Sequence, residues 1–199
     1  MSGAKHPSLR VAVLASGEGS NLQAIIDTVH GKHGVEVVAV LSDKPTARAL
    51  ERARGAGIAT AVFERGDYDS REARDAAMVG RLRDDGVDLV VLAGYMQLLS
   101  PGFINSFLNR VINVHPALLP KYPGLKAIEQ ALDAGETETG VTVHYVDEGI
   151  DTGPVIAQEP LAIEPGESIE HLARRLHEIE HRLLPEVIAQ FARDRATSA

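Results

Sequence analysis

The sequence contains no cysteine and no tryptophan, and its 199 residues include only 4 Phe and 4 Tyr. Without cysteine, a disulfide framework, a thiolate metal site and a thiol nucleophile are all excluded. Lysine and arginine form no block, and the net charge is −8. A nucleic-acid groove usually combines a basic stripe with stacking aromatic rings, so we expect no nucleic-acid partner. An anionic substrate would need a local device that holds it against the overall negative charge.

Long hydrophobic runs are also missing. The apolar run near the start, V-A-V-L-A, is short, so no secretory signal and no membrane span are expected. A hydrophobic content of 44% and a charged content of 24% are ordinary for a globular chain. We therefore expect one cytoplasmic domain over residues 1–199, with about residues 1–8 and 193–199 frayed.

Short runs rich in Val, Leu and Ile alternate with longer amphipathic stretches in the first two thirds of the chain. Nearly continuous apolar runs are typical of strands that are covered on both faces. The alternation predicts an α/β fold with a doubly wound, mainly parallel sheet flanked by helices. The predicted strands are 9–15, 35–41, 58–63, 87–93 and 111–114, and the predicted helices are 21–30, 46–54 and 70–82.

The pattern changes after residue 135. Residues 139–146 alternate with period two, a turn-rich loop follows, and residues 154–163 are extended again. This pattern predicts an antiparallel strand pair added to the parallel sheet. Residues 167–184 have apolar side chains spaced by three and four, which predicts a closing helix. Pro185 is expected to bend this helix or to begin a new segment.

The loop S-G-E-G-S-N, residues 16–21, follows the first strand and opens the first helix. Gly17 and Gly19 permit a backbone that points amides inward, and the helix N-terminus adds partial positive charge. This predicts a phosphate site without a lysine, although Glu18 at the tip is unfavourable there unless it points to solvent. The spacing matches neither a P-loop nor a dinucleotide fingerprint. The alternative is an ordinary turn in which Ser20 or Asn21 caps the helix.

Asn113 and His115 lie at the carboxyl end of a predicted strand, where open α/β sheets bind their ligands. Residues two apart on a strand project to the same face, so the amide and the imidazole point at one small volume. The prolines of the following segment, P-A-L-L-P-K-Y-P-G, restrict its backbone. An amide donor and an imidazolium suit a developing oxyanion, as in acyl-type transfer. A buried structural histidine is the alternative.

The loop D-E-G-I-D-T-G, residues 147–153, places carboxylates and glycines between two strands. One carboxylate could raise the pKa of the histidine through its opposite charge, or carry a proton from an attacking amine. Asp151 is the best candidate because the neighbouring glycines let the loop fold over the sheet edge. The alternative is an acidic surface hairpin.

A zinc site is the competing use of histidine. The segment H-E-I-E-H, residues 177–181, resembles the H-E-x-x-H zinc motif. No third ligand is evident downstream, and a zinc site there would leave the first loop and residues 113–115 unexplained. We therefore expect no metal.

Taken together, these segments resemble the phosphoribosylglycinamide formyltransferases, a family of folate-dependent enzymes of purine synthesis. The resemblance runs from S-G-E-G-S-N-L-Q-A-I-I through V-L-A-G-Y-M-Q-L-L-S, N-V-H-P-A-L-L-P-K-Y-P-G and V-H-Y-V-D-E-G-I-D-T-G-P-V-I to E-I-E-H. The H-P-x-L-L-P segment is shared by the wider formyltransferase superfamily. The G-x-G-S-N loop, in a chain without an added domain, points to the glycinamide ribonucleotide branch. The resemblance implies a Rossmann-like formyltransferase fold.

The resemblance also implies three groups of site residues. The catalytic group is Asn113, His115 and Asp151, with His115 as the proton donor and Asp151 raising its pKa. The ribonucleotide would be bound by Gly19, Ser20, Asn21, His177, Glu178, Ile179 and Glu180. The folate would be bound by Arg71, Met96, Gln97, Leu98, Leu99, Asn113, Asp147, Glu148, Gly149, Ile150 and Asp151.

The implied reaction transfers a formyl group from 10-formyltetrahydrofolate, the cosubstrate, to the amine of phosphoribosylglycinamide. The implied partners are these small molecules, and the protein would be a monomer or a homodimer. Other readings remain: a formyltransferase acting on an aminoacyl-tRNA or an amino sugar, a formyltetrahydrofolate hydrolase, or a non-catalytic nucleotide-binding domain. Aminoacyl-tRNA and amino-sugar enzymes usually carry an extra domain, and a hydrolase would make the phosphate loop superfluous.

Overall fold

The computed structural model describes residues 8–198 and contains a seven-stranded sheet in the order β3-β2-β1-β4-β5-β6-β7. Strands β1 to β5 are parallel, and β6 runs antiparallel to both β5 and β7. The predicted mainly parallel sheet with an antiparallel pair is thus confirmed. The strands are β1 Leu9–Leu14, β2 Val35–Ser42, β3 Ala59–Val62, β4 Leu89–Leu92, β5 Val111–His115, β6 Glu138–Tyr145 and β7 Val155–Ala162.

Six α-helices flank the sheet in the described residues. They are α1 Ser20–Thr28, α2 Arg48–Gly55, α3 Arg71–Asp84, α4 Pro101–Ser106, α5 Ala127–Asp133 and α6 Ile169–Ser198. The first three and α6 were expected from the sequence. Helices α4 and α5 were not, because segments of six and seven residues are too short to show a clear helical period.

The hydrophobic core is divided by the sheet into two layers. Along β1, Val11 and Val13 face one layer, whereas Ala12 and Leu14 face the other. All four side chains are fully buried. This explains the unbroken apolar run: a strand covered by helices on both sides has no face that needs polar residues.

Helix α6 is longer than the sequence suggested. It spans 30 residues and contains Pro185 in its interior, so the proline neither ends the helix nor begins a new segment. Residues 193–198, expected to be frayed, form its last turns, and the expected frayed start lies outside the described residues apart from Ser8. Within residues 8–198, no helix is long and apolar enough to cross a membrane.

Gly140 lies where β6 meets both β7 and the proline-rich loop. A Cβ atom there would lie 2.2 Å from the carbonyl oxygen of Glu159 and 2.6 Å from a methyl carbon of Leu118. We expect Gly140→Ala to lower the free energy of unfolding by about 2–3 kcal/mol in urea titrations, since a backbone atom must move. Gly80→Ala in helix α3 is the matched control, because nothing lies within 4 Å of its added Cβ. An equal response of the two variants would contradict the prediction.

Candidate active site

A cleft of about 780 Å³ opens at the carboxyl ends of β1, β4 and β5. This is the edge at which open α/β sheets bind ligands. Residues of all three predicted groups line it: Gly19, Ser20, Asn21, Arg71, Met96, Gln97, Leu98, Leu99, Asn113, His115, Asp147, Glu148, Gly149, Ile150, Asp151, His177 and Glu180. Segments far apart in sequence therefore meet in one concave site.

Two of the residues expected at the ribonucleotide do not line the cleft. Residues three apart share one face of a helix, so His177 and Glu180 of α6 face the cleft together. Ile179 is instead 8% exposed and packs in the core, and Glu178 points to solvent. The resemblance assigned residues 177–180 as one continuous segment, but only His177 and Glu180 lie on the face of α6 that lines the cleft.

Gly19 sets the shape of the predicted phosphate loop. It precedes α1 with φ of 72°, in the left-handed region that glycine adopts without strain. A Cβ there would lie only 2.7 Å from the Cα of Ala49 in α2. The loop therefore packs directly on α2, and only glycine fits at this position. Ser20 and Asn21, which open α1, line the cleft, so the helix N-terminus adjoins it, as an anion site requires.

Glu18, at the tip of this loop, lines the cleft, and its carboxylate is paired with two arginines of α2. Its carboxylate accepts hydrogen bonds from Arg48 at 2.8 Å and from Arg52 at 2.7 Å. Arg52 also donates from Nε to the Glu18 carbonyl at 2.9 Å. The negative charge at the loop tip is thus paired with two cations, which offset its repulsion of an anion in the cleft.

Asn21 joins the loop to helix α6. Its Nδ2 donates to Glu180 Oε2 at 2.7 Å, and both side chains are buried. Burial raises the pKa of Glu180, while the hydrogen bond from Asn21 and the charge of His177 act in the opposite direction. The two segments that the resemblance assigned to the ribonucleotide are therefore joined by a direct hydrogen bond.

Asp151 is the centre of the polar cluster at the end of β5. Its Oδ2 accepts from the Gly124 amide at 2.8 Å and lies 3.4 Å from His115 Nδ1. Its Oδ1 accepts from Asn113 Nδ2 at 3.2 Å. The residue has φ of 53°, a left-handed conformation that costs free energy for a residue other than glycine and is found at functional sites. Asp151 is thus in contact with both other predicted catalytic residues.

The two nitrogens of His115 have different roles. Nε2 lies 2.8 Å from the Tyr122 carbonyl. A carbonyl only accepts, so Nε2 carries a hydrogen and Nδ1 is the atom that can gain a proton. Burial lowers the pKa of His115 below its ordinary value, although Asp151 and the Tyr122 carbonyl raise it. Asp151 acts on this pKa in the expected direction, but burial outweighs it and the net shift is downward.

His144 is a site residue that the sequence reasoning missed. It lies on β6 opposite Asn113 and is 1% exposed. Its Nδ1 lies 2.8 Å from the Tyr145 carbonyl, and its Nε2 lies 3.2 Å from Asn113 Nδ2 and 3.4 Å from Asp151 Oδ1. The sequence feature that could have identified it is a histidine at an inward-facing position of an alternating strand, next to the acidic loop.

The proline-rich segment after His115 is anchored to the antiparallel strands. Thr142 of β6, which is fully buried, accepts from the Leu119 amide at 3.1 Å and donates to the Ala117 carbonyl at 2.6 Å. Gln158 of β7 donates to the Leu119 carbonyl at 2.8 Å. Restricted backbone and buried hydrogen bonds together fix the Tyr122 carbonyl that orients His115.

The H-E-I-E-H segment is used for packing and for lining the cleft. The rings of His177 and His181 stack with centroids 6.2 Å apart. Within residues 8–198, the three residues close enough to share a metal are Glu164, Glu167 and His171, and neither histidine of the segment is among them. Glu167 already forms an ion pair with Arg175 at 2.9 Å.

The lowered pKa of the buried His115 predicts a pH dependence of stability. Because its pKa is lower in the fold than the ordinary 6.5, the unfolded chain takes up the proton more readily. The stabilisation is present above pH 6.5 and is lost as pH falls through the lowered folded value. We expect the unfolding free energy in urea to fall more steeply below about pH 6.5 for the native protein than for His115→Gln. Parallel pH curves would contradict this.

A doubly wound sheet whose carboxyl edge carries a glycine-containing loop at a helix N-terminus, beside an amide, an imidazole and a carboxylate, is typical of α/β group-transfer enzymes. Residues 9–188 match the model of the formyl transferase family. The chain belongs to that family.

Individual relatives agree with this assignment. The chain is 45% identical over 185 residues to phosphoribosylglycinamide formyltransferase of Escherichia coli (strain K12), covering 92% of this chain and 87% of that protein. It is 48% identical over 189 residues to the trifunctional purine biosynthetic protein adenosine-3 of Drosophila pseudoobscura pseudoobscura. That match covers 94% of this chain but only 14% of the longer protein.

Solved structures show the same fold. The crystal structure of glycinamide ribonucleotide transformylase 1 from Symbiobacterium toebii matches with a TM-score of 0.92 and 44% identity, over 98% of this chain and 94% of that one. The corresponding protein of Geobacillus kaustophilus gives a TM-score of 0.90 and 45% identity, over 94% of this chain and 100% of that one.

Proposed function

We propose that the protein transfers the formyl group of 10-formyltetrahydrofolate to the amine of phosphoribosylglycinamide in purine synthesis. The observation that carries this proposal is one continuous cleft with an anion loop at residues 16–21 and the Asn113, His115 and Asp151 cluster. The loop suits the phosphate of a ribonucleotide, and the cluster suits acyl-type transfer. Relatives that share most of this chain are named for this reaction.

The proposed reaction begins with direct attack of the ribonucleotide amine on the formyl carbon. A new carbon–nitrogen bond forms, and the formyl oxygen becomes an oxyanion. Asn113 Nδ2 is the donor that can stabilise this oxyanion. In the free site its hydrogens point to Asp151 and His144, at 3.2 Å each, so the oxyanion replaces one of these long contacts.

The proton follows a path through His115. In the proposed step His115 starts neutral with Nδ1 unprotonated, takes the proton that the attacking amine loses, and becomes an imidazolium paired with Asp151. It then gives this proton to N10 of the folate as the bond between N10 and the formyl carbon breaks. The products are formylglycinamide ribonucleotide and tetrahydrofolate, and the proton balance closes within the site.

The two alternative functions would each use only part of the cleft. A formyltetrahydrofolate hydrolase would use water in place of the amine and would not need the anion loop. A nucleotide-binding domain would need the loop but not the buried contacts among Asn113, His115 and Asp151. Formyl transfer is the reading that uses both halves of the cleft.

A folate-absorbance assay separates these functions. The protein is incubated with 10-formyltetrahydrofolate, with and without phosphoribosylglycinamide. The proposal expects tetrahydrofolate to form only when the ribonucleotide is present. Turnover without the ribonucleotide would indicate hydrolysis, and no turnover under either condition would indicate a binding domain.

The proposal extends to the setting of the reaction. Both substrates are charged small molecules, which do not cross a bilayer unaided, and we place the enzyme with them in the cytoplasm. It would act as a monomer or a homodimer, without nucleic-acid or membrane partners, and without a metal.

A further inference from the structure

A buried ion pair lies behind the segment 96–99, outside the cleft. Arg74 and Asp75 are consecutive residues of α3 and are 2% and 0% exposed. The guanidinium donates to Asp75 Oδ1 from NH2 at 2.7 Å and from Nε at 3.0 Å. Burying two charges costs desolvation energy that their attraction often only offsets, so the pair is weak evidence for stability. The mechanism proposed above does not use it.

The pair forms hydrogen bonds with the backbone of the loop that follows β4. The second hydrogen of Arg74 NH2 points to the Leu98 carbonyl at 3.3 Å. The free oxygen of Asp75, Oδ2, accepts from the Ser100 amide at 2.6 Å. Both ends of the stretch 98–100 are thus fixed by one ion pair from another element, and Ser100 in turn caps α4.

The same loop is held at two further points. Ser16 Oγ accepts from the Met96 amide at 2.8 Å, and Asp43 accepts from Gln97 Nε2 at 3.0 Å. These contacts fix the start of the segment, and the ion pair fixes its end. Meanwhile Met96 and Leu98 are 59% and 57% exposed, so their side chains contribute little to holding the loop. The loop is held instead by hydrogen bonds to residues behind it, namely Ser16, Asp43, Arg74 and Asp75.

We propose that Arg74 and Asp75 are positioning residues for formyl-folate binding, acting through the backbone of residues 96–99. This inference rests on the proposed function, which assigns the folate to that segment. A preorganised loop binds its ligand without losing conformational entropy at that moment. Loosening the loop should therefore weaken folate binding and leave the ribonucleotide half of the cleft unchanged.

The test uses a charge-free pair. Arg74→Met with Asp75→Asn keeps side-chain volume and leaves an acceptor for the Ser100 amide, but releases the Leu98 carbonyl. We expect the KM and the directly titrated Kd for 10-formyltetrahydrofolate to rise about tenfold. The KM for phosphoribosylglycinamide should stay within about twofold. Arg74→Lys keeps the charge and should give a smaller rise, about threefold.

The matched control is Arg81→Met with Asp85→Asn, which removes the half-exposed ion pair of the same helix. It should leave both KM values unchanged. An unchanged folate KM in the folded double variant would overturn the inference, as would an equal rise in both KM values. If the double variant does not fold, Arg74→Lys decides: a native folate KM overturns the inference. A native protein that neither binds nor uses formyl-folate would instead refute the proposed function.

Discussion

Replacing His115 by glutamine should lower kcat for formyl transfer by about a thousandfold, the loss typical of removing a general acid–base. Glutamine approximates the size of histidine, and its amide can still donate to the Tyr122 carbonyl, which His115 Nε2 contacts at 2.8 Å. It cannot accept and return a proton near neutral pH. The proton released by the attacking amine then has no path to the folate nitrogen. Steady-state kinetics at saturating concentrations of both substrates measure this effect.

The control for His115→Gln is His171→Gln. His171 lies on the surface near the start of α6, where it pairs with Glu167 at 2.7 Å. It should retain native turnover. Calorimetry should also show that His115→Gln still binds formyl-folate, so that the loss lies in the chemical step. Native kcat in a folded His115→Gln protein would remove His115 from the mechanism.

Replacing Asp151 by asparagine should lower kcat by about a hundredfold, because the imidazolium formed during transfer loses its counter-charge. The carboxylate lies 3.4 Å from His115 Nδ1, and its charge raises the pKa of that histidine. The variant should therefore show a still lower His115 pKa. An NMR titration of the imidazole carbons, with His115→Gln used to assign the signal, measures the shift.

Asp147→Asn is the matched control for Asp151. Asp147 lies in the same loop and accepts from Gly149 and Thr152, without a contact to His115. It should leave the pKa of His115 unchanged. An unchanged His115 pKa in Asp151→Asn would show that the carboxylate does not act through the imidazole.

The parallel part of the fold could be predicted from the sequence because its strands are covered on both faces. Strand β1, with its unbroken apolar run, lies within one residue of the predicted bounds, and so does β2. Helices α4 and α5 could not be predicted, since each is shorter than two full turns. Of the two outcomes expected at Pro185, a new segment is wrong, because α6 continues through the proline and its tertiary packing outweighs one lost backbone hydrogen bond.

Some features of the site could likewise be predicted from the sequence, and others could not. Asn113 and His115 follow from local rules, because alternation along a strand and its carboxyl end place them together. The hydrogen-bond partners of Asn113 and Asp151 come from distant parts of the sequence. His144 can be recognised as a site residue only from the pairing of β6 with β5. The net direction of the His115 pKa shift could not be predicted either, since it depends on how deeply the ring is buried.

An isotope-transfer experiment tests the central claim most directly. The protein is mixed with 10-formyltetrahydrofolate labelled with carbon-13 in the formyl group and phosphoribosylglycinamide labelled with nitrogen-15 in the amine. Our account predicts a one-bond coupling between the two labels in the product, and loss of that product when His115 is replaced by glutamine. Labelled formate without such coupling would contradict the account, because it would mean that water accepts the formyl group.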